Sequence, residues 1–295
     1  MAQSSIEWTK ETWNPIVGCA RVSPGCQHCY AERMAKRLIA MGQEKYYGTL
    51  DKNGRWSGLL NFDIDNWEAP RKRKKPTVYF VNSMSDLFHE TVGFNWIMRV
   101  WDVMRDTPQH TYQILTKRAD IMSRTGKALA DIYGVLPNVW LGVSVENQQY
   151  ANERVPLLLE TPAAIRFLSC EPLLGSVDLN KREFLCTDWR KRLTIGTYVD
   201  WVIVGGESGP GARPIDVKWI KDIVDQCKEA DTSVFVKQLG ARPYSLGNDD
   251  LWWNGGIGRY YDDENDPRTY FKLKDKKGGD ISEWPKELQV REFPG

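Results

Sequence analysis

From residue 77 onward the chain alternates short runs of β-branched and aromatic residues with amphipathic stretches, and this rhythm limits the fold more than any other feature. Such alternation marks βα units, not separate sheet and helix domains. The spacing predicts strands at Thr77 to Val81, Thr111 to Leu115, Val139 to Val143, Ile165 to Leu168, Trp201 to Val204 and Ser233 to Val236, with an earlier one at Trp13 to Val17. Strands that are nearly continuously apolar are covered on both faces, as in a parallel sheet or barrel. Helices are expected at Ala31 to Met41, Trp96 to Arg105, Arg118 to Tyr133, Gln148 to Leu159 and Val217 to Glu229, each with apolar positions at helical spacing. Six or seven such units without a dinucleotide-binding glycine fingerprint favour an α/β fold of the partial or complete (β/α) barrel kind over a doubly wound sheet. Residues 42 to 76 and the C-terminal stretch break the rhythm. The expected organisation is a barrel over 1–240, with a cysteine-bearing loop at 18–30, and an irregular appendage packed on it over 241–295.

Charge and composition remove several function classes. The 295 residues carry 40 Lys and Arg against 39 Asp and Glu, a balance that argues against a strongly charged nucleic-acid clamp. With 41% hydrophobic residues the chain is not of the disordered class either. No apolar run approaches the roughly 18 residues of a membrane helix, and the polar start MAQSSIEWTKET has no signal pattern. A soluble, cytoplasmic protein with no membrane partner is expected. Only three histidines occur, with no H-E-x-x-H and no G-x-S-x-G, which excludes a zinc-protease helix and a serine-hydrolase elbow. The segment Gly206 to Arg213 has phosphate-loop glycines but Ala-Arg where Lys and Ser or Thr are needed. The acidic stretch Asp262 to Asp266 lacks the glycine and final glutamate of a calcium loop.

Polar residues gather just after the predicted strands: Asn82 to Asp86, Thr116 to Arg118, Ser144 to Asn147, Ser169 to Glu171, Gly205 to Ser208, and Lys237 with Gln238. In a barrel such ends converge on the face that carries active sites, which would bring several carboxylates, two lysines and a thiol to one pocket.

Three of the six cysteines, Cys19, Cys26 and Cys29, fall within eleven residues, directly after the first strand and before the first helix; Cys170, Cys186 and Cys227 are scattered. In a reducing cytosol this pattern is a metal or redox site and not a disulfide framework. Zinc would need a fourth ligand, His28 or a distant cysteine. An iron–sulfur cluster is normally held by four cysteines, and a shortage of one leaves an iron open for a ligand that takes part in chemistry. Three unligated buried thiols are the remaining reading.

The chain resembles the radical S-adenosylmethionine superfamily and, within it, the phage-type three-cysteine-motif proteins of bacteriophages and bacteria. The residues that carry the likeness are Trp13 to Cys19 (WNPIVGC), Pro24 to Ala35 (PGCQHCYAERMA), Val81 to Glu90 (VNSMSDLFHE), Ile114 to Arg118 (ILTKR), Leu141 to Gln148 (LGVSVENQ), Arg166 to Gly175 (RFLSCEPLLG), Val202 to Pro214 (VIVGGESGPGARP), Val236 to Gly240 (VKQLG) and Trp284 to Pro294 (WPKELQVREFP). Six residues, where the superfamily usually has three, separate the first two cysteines, and His28 stands where an aromatic commonly precedes the third.

The resemblance implies a barrel of the radical S-adenosylmethionine type. It also implies a [4Fe-4S] cluster on Cys19, Cys26 and Cys29, with S-adenosylmethionine as second cofactor, cleaved reductively to a 5′-deoxyadenosyl radical that abstracts hydrogen from a substrate. By the same likeness Ser83, Ser85 and Asp86 would take the methionine amino group, Lys117 or Arg118 a carboxylate, and Ser144 and Glu146 the ribose. Glu171, Glu207, Arg213 and Lys237 remain for substrate or for a salt-bridge network in the barrel. Cys170 would return hydrogen to a product radical or be a small buried hydrophobe. Implied partners are an electron donor such as flavodoxin or ferredoxin and a separately encoded protein. The substrate is unspecified, with a nucleobase or nucleic acid to be modified or repaired as one class. A reading from another class is a nucleic-acid-binding module with a structural iron–sulfur or zinc site, using the basic run Arg71 to Lys75 and the 12% aromatic residues.

Overall fold

A computed structural model describes residues 2–3, 6–180, 184–185, 198–246, 258–260 and 266–295. Cys186 and residues 262–265 of the acidic stretch lie outside the described residues. In chain order the elements are β1 (Ala2–Gln3), β2 (Glu11–Trp13), β3 (Ile16–Val17), α1 (Tyr30–Ala40), β4 (Asn61–Phe62), α2 (Ile64–Trp67), β5 (Val78–Val81), α3 (Phe94–Arg105), β6 (Thr111–Thr116), α4 (Ala119–Tyr133), β7 (Val139–Ser144), α5 (Gln148–Leu159), β8 (Ile165–Cys170), β9 (Trp201–Gly205), β10 (Ile215–Asp216), α6 (Val217–Glu229), β11 (Ser233–Gln238), β12 (Pro243–Leu246), β13 (Gly258–Tyr260) and β14 (Arg268–Lys272). The order in the main sheet is β1-β2-β5-β6-β7-β8-β9-β11, with seven of these strands parallel and β1 antiparallel at one end. Among the described residues no ladder joins β1 to β11, so the fold is α/β with an open, partial barrel of seven strands.

Contacts divide the chain into two compact units, residues 1–143 with 157–166, and residues 144–156 with 167–295. In the first, β2, β5, β6 and β7 lie side by side in parallel. Their apolar residues face covering layers on both sides: Trp13, Tyr79, Tyr112, Ile114 and Leu141 are all buried. Helix α4 shows why its sequence is helical yet carries a central glycine. Ala119, Met122, Gly126 and Leu129 form its buried stripe, and a Cβ on Gly126 would meet Thr161 Cγ2 at 2.5 Å. The glycine allows close approach at the expense of some helix propensity.

One predicted strand divides. Trp13 to Val17 was expected to be continuous, but Glu11–Trp13 pairs with β5 while Ile16–Val17 pairs antiparallel with Asn61–Phe62. Pro15 lacks the N–H a ladder needs. Asn14 turns its side chain to the β5 loop, where its Oδ1 accepts from Ser83 Oγ and Met84 N, each at 3.1 Å. The arrhythmic segment after α1 folds back on the cysteine loop. Gly58 N donates to Cys19 O at 3.2 Å, and Trp56 joins Val17, Ala31, Ala35, Tyr46 and Met84 in a cluster against which Cys19 and Cys29 pack.

In the second unit β8, β9 and β11 are parallel neighbours, covered by α6 through Ile220, Ile223, Val224 and Cys227. The stretch expected to be irregular contributes β12, β13 and β14, which with β10 make a four-stranded sheet. Its last residues run along β11: Val236 N donates to Val290 O at 2.9 Å, and Glu292 N to Val234 O at 3.0 Å. A strand edge that would otherwise be open to pairing is thereby covered.

Candidate functional site

In the first unit the cysteine loop is bound to its neighbours through both backbone and side chains. Gly18 has φ +95°, and a Cβ there would lie 2.2 Å from Leu59 O, so only glycine fits. Its N–H donates to Met84 O at 3.1 Å, and Tyr30 O–H donates to Ser83 O at 2.6 Å. Both bonds join the cysteine loop to the turn that follows β5. Pro24–Cys26 forms one 3-10 turn, and Cys29 is the N-cap of α1. Buried Glu32 organises the loop from the helix side, pairing with Arg21 and accepting from Trp56 N at 2.9 Å.

All three thiols are partly buried. Burial, with the Asp86 carboxylate second, pushes the Cys19 thiol up to about 12, and the Arg118 guanidinium opposes the shift. Arg118 is 4% exposed and reaches four groups: Glu90 Oε1 at 2.8 Å, Asp86 Oδ2 at 3.0 Å, Ala20 O at 3.2 Å and Cys19 Sγ at 3.9 Å. The resemblance offered Lys117 or Arg118 to a carboxylate; here the Arg118 guanidinium pairs with Asp86 and Glu90 and has one nitrogen 3.9 Å from the Cys19 sulfur.

Among the described residues no three His, Cys, Asp or Glu side chains form a group suited to one metal ion. A four-iron cluster makes a different demand, because each thiolate binds a separate iron. Three cysteines in one short loop, two of them (Cys19 and Cys29) backed by an apolar wall, supply soft donors for three irons and fit such a group.

The residues expected to meet a methionine amino group divide. Ser83 Oγ donates to Asn14 and Ser85 Oγ to Ile16 O at 2.8 Å. Asp86 accepts from Thr116 Oγ1 at 2.7 Å, Phe88 N at 3.0 Å, Lys117 N at 3.3 Å and Arg118, and is therefore committed to the fold. Lys117 is half-buried beside it. Asn82 was not singled out from sequence. It is buried with φ +57°, and among the described residues neither its amide oxygen nor its nitrogen finds a partner. An unsatisfied buried polar group costs about 1–3 kcal/mol, which makes this amide a candidate to meet a polar ligand.

In the second unit the strand ends hold three carboxylates. Glu146 is fully buried against Arg154, at 2.8 Å, and the same Arg154 nitrogen donates to Ser144 O at 2.7 Å. Ser144 and Glu146 were expected at a ribose; here Arg154 takes the carboxylate and the strand-end carbonyl. Glu171 pairs with Lys237 at 2.7 and 2.9 Å and accepts from Gln238 Nε2 at 3.3 Å. Neighbouring strand residues normally point to opposite faces, but the β11 register shifts between Val236 and Gln238, and this irregularity lets both side chains reach Glu171. Glu207 accepts from Arg213 N and Nε, each at 2.9 Å, closing the glycine-rich loop on itself. Cys170 is fully buried, pushed up to about 12 by burial and next by Glu146, and lies near Cys227 of α6. As the end residue of β8 it is an interior side chain, which fits the reading of a small buried hydrophobe better than that of a hydrogen-returning thiol.

A family model described as "Protein of unknown function (DUF5131)" matches residues 3–279. No curated protein matches the chain. Among solved structures, a cysteine-to-serine mutant of spore photoproduct lyase is similar at 10% identity and a TM-score of 0.46, covering 93% of this chain and 72% of that one. The same lyase complexed with dinucleoside spore photoproduct gives 10% and 0.43 over the same shares.

Proposed function

We propose, for a chain that belongs to the DUF5131 family of proteins of unknown function, that it is a radical S-adenosylmethionine enzyme whose Cys19, Cys26 and Cys29 hold a [4Fe-4S] cluster. The observation that carries the reading is the three-thiol loop, bonded to the turn after β5 by Gly18 N to Met84 O and Tyr30 O–H to Ser83 O. Bound there with S-adenosylmethionine, the cluster supplies reductive formation of a 5′-deoxyadenosyl radical for hydrogen abstraction.

The protein's part is binding and exclusion of water. Asn82, with its unsatisfied amide, and the Ser83 and Ser85 hydroxyls face the polar demands of a methionine ammonium and carboxylate. Lys117 neutralises the carboxylate. The wall of Val17, Trp56 and Met84, against which Cys19 and Cys29 pack, limits water on that side of the loop. Glu171 with Lys237 is the substrate-side pair, partly exposed and joined across 66 residues of sequence. A one-electron donor of the flavodoxin or ferredoxin kind completes the system, and a nucleobase is the substrate class put forward.

Anaerobic reconstitution with iron and sulfide, reduction with dithionite and chromatography test the reading. About four irons per chain and 5′-deoxyadenosine are expected. Stoichiometric zinc without iron–sulfur absorbance overturns it.

A further inference from the structure

We infer that Arg118 is a positioning residue that holds Cys19 and raises the reduction potential of the cluster that Cys19 binds; the inference rests on the function proposed above. Arg118 follows β6 and precedes α4, yet its side chain reaches back across 99 residues of sequence to the cysteine loop. Each nitrogen of its fork has a partner: Nε has Glu90, Nη1 has Asp86 and, at 3.9 Å, Cys19 Sγ, and Nη2 has Ala20 O. Asp86 is itself fixed by Thr116 Oγ1, Phe88 N and Lys117 N. The guanidinium therefore has one orientation, with an N–H edge on the first cysteine.

The electrostatics follow from this arrangement. Reduction adds one electron and makes the cluster more negative. A nearby cation and an N–H aimed at a ligand sulfur favour the reduced state, and both act strongly where water is excluded. Asp86 and Glu90 act in the opposite sense. Arg118 is 4% exposed and Asp86 6%, so salt screens neither of them well. A guanidinium serving only the fold would need Asp86 and Ala20 but no edge on sulfur.

The test is a potentiometric titration of reconstituted protein, followed by electron paramagnetic resonance, with iron and sulfide content measured on each sample. Arg118→Gln is expected to shift the midpoint to more negative potential with iron retained, and Asp86→Asn to shift it to more positive potential. Arg118→Lys should recover most of the parent value. Should either buried variant fail to bind iron, Glu90→Gln serves instead, because Glu90 is 53% exposed on its side chain, and it should shift the midpoint slightly upward. Opposite signs for Arg118→Gln and Asp86→Asn support the inference. Midpoints that stay at the parent value, or that move the same way in both, overturn it while leaving the proposed function intact. A parent protein that binds no cluster overturns both.

Discussion

Two buried arginine–carboxylate pairs, each with its carboxylate a few residues after a β-strand, differ in what the arginine reaches. Arg118 with Asp86 and Arg154 with Glu146 are both nearly inaccessible, at 3.0 and 2.8 Å. Arg154 reaches only eight residues back to Glu146 and ten to Ser144 O, and it lies 4.1 Å over the Tyr150 ring. That is a local staple, fastening the first turns of a helix to the strand it follows. Arg118 reaches 32 residues to its carboxylate and 99 to a cysteine. A buried ion pair is by itself weak evidence of function. The direction of the remaining N–H groups is what separates the two.

The largest expected effect lies with the thiols. Alanine at Cys19, Cys26 or Cys29 should abolish iron binding and 5′-deoxyadenosine formation, with the circular dichroism spectrum kept. Retention of about four irons in any one variant would remove that cysteine from the ligand set.

The staple predicts a change in stability. Arg154→Ala removes the buried cation that faces Glu146 and should cost about 3–5 kcal/mol in a denaturant titration. Glu146→Gln, which keeps a hydrogen-bond acceptor, should cost less. Weaker S-adenosylmethionine binding by calorimetry in Glu146→Gln at parent stability would instead place this carboxylate at a ribose and dissolve the contrast.

Glu171 and Lys237 supply the intermediate case. Each side chain is 18% exposed, so Lys237→Ala should change stability by only about 1 kcal/mol. Turnover of substrate should fall while substrate-free deoxyadenosine formation persists, as product analysis would show. Equal loss of both activities would move the pair to the cofactor side.

The smallest effect belongs to the basic run. Arg71 pairs with Glu68 and Asp106, and Arg73 with Glu11 and Thr77 Oγ1. Neutralising exposed Lys72, Lys74 and Lys75 should flatten the salt dependence of any nucleic-acid binding by at most about three slope units. Filter binding across a salt series measures it, and an unchanged slope removes the run from the interface.

Much of the site was legible because it is local. Cys19, Cys26 and Cys29 share a loop, so spacing alone brought them together, and the β-branched runs at β5, β6, β7 and β9 announced the parallel strands. Trp13 to Val17 was read as one strand because apolar character hides a break that Pro15 and the Asn14 side chain impose. Cys170 lies among polar neighbours in sequence, and only packing against α6 shows its interior place.

What the sequence determined by itself was the set of donors and the order in which the chain visits them, since those depend on residue type and short-range periodicity. Tertiary structure decided which charges meet. Asp86 goes to Arg118, Glu146 to Arg154, and Glu171 to Lys237 through a register shift in β11. The reason is physical: charge pairing depends on distance through space and on which N–H groups are already satisfied. Both are set by strand order and helix packing, which no spacing of residues along the chain specifies.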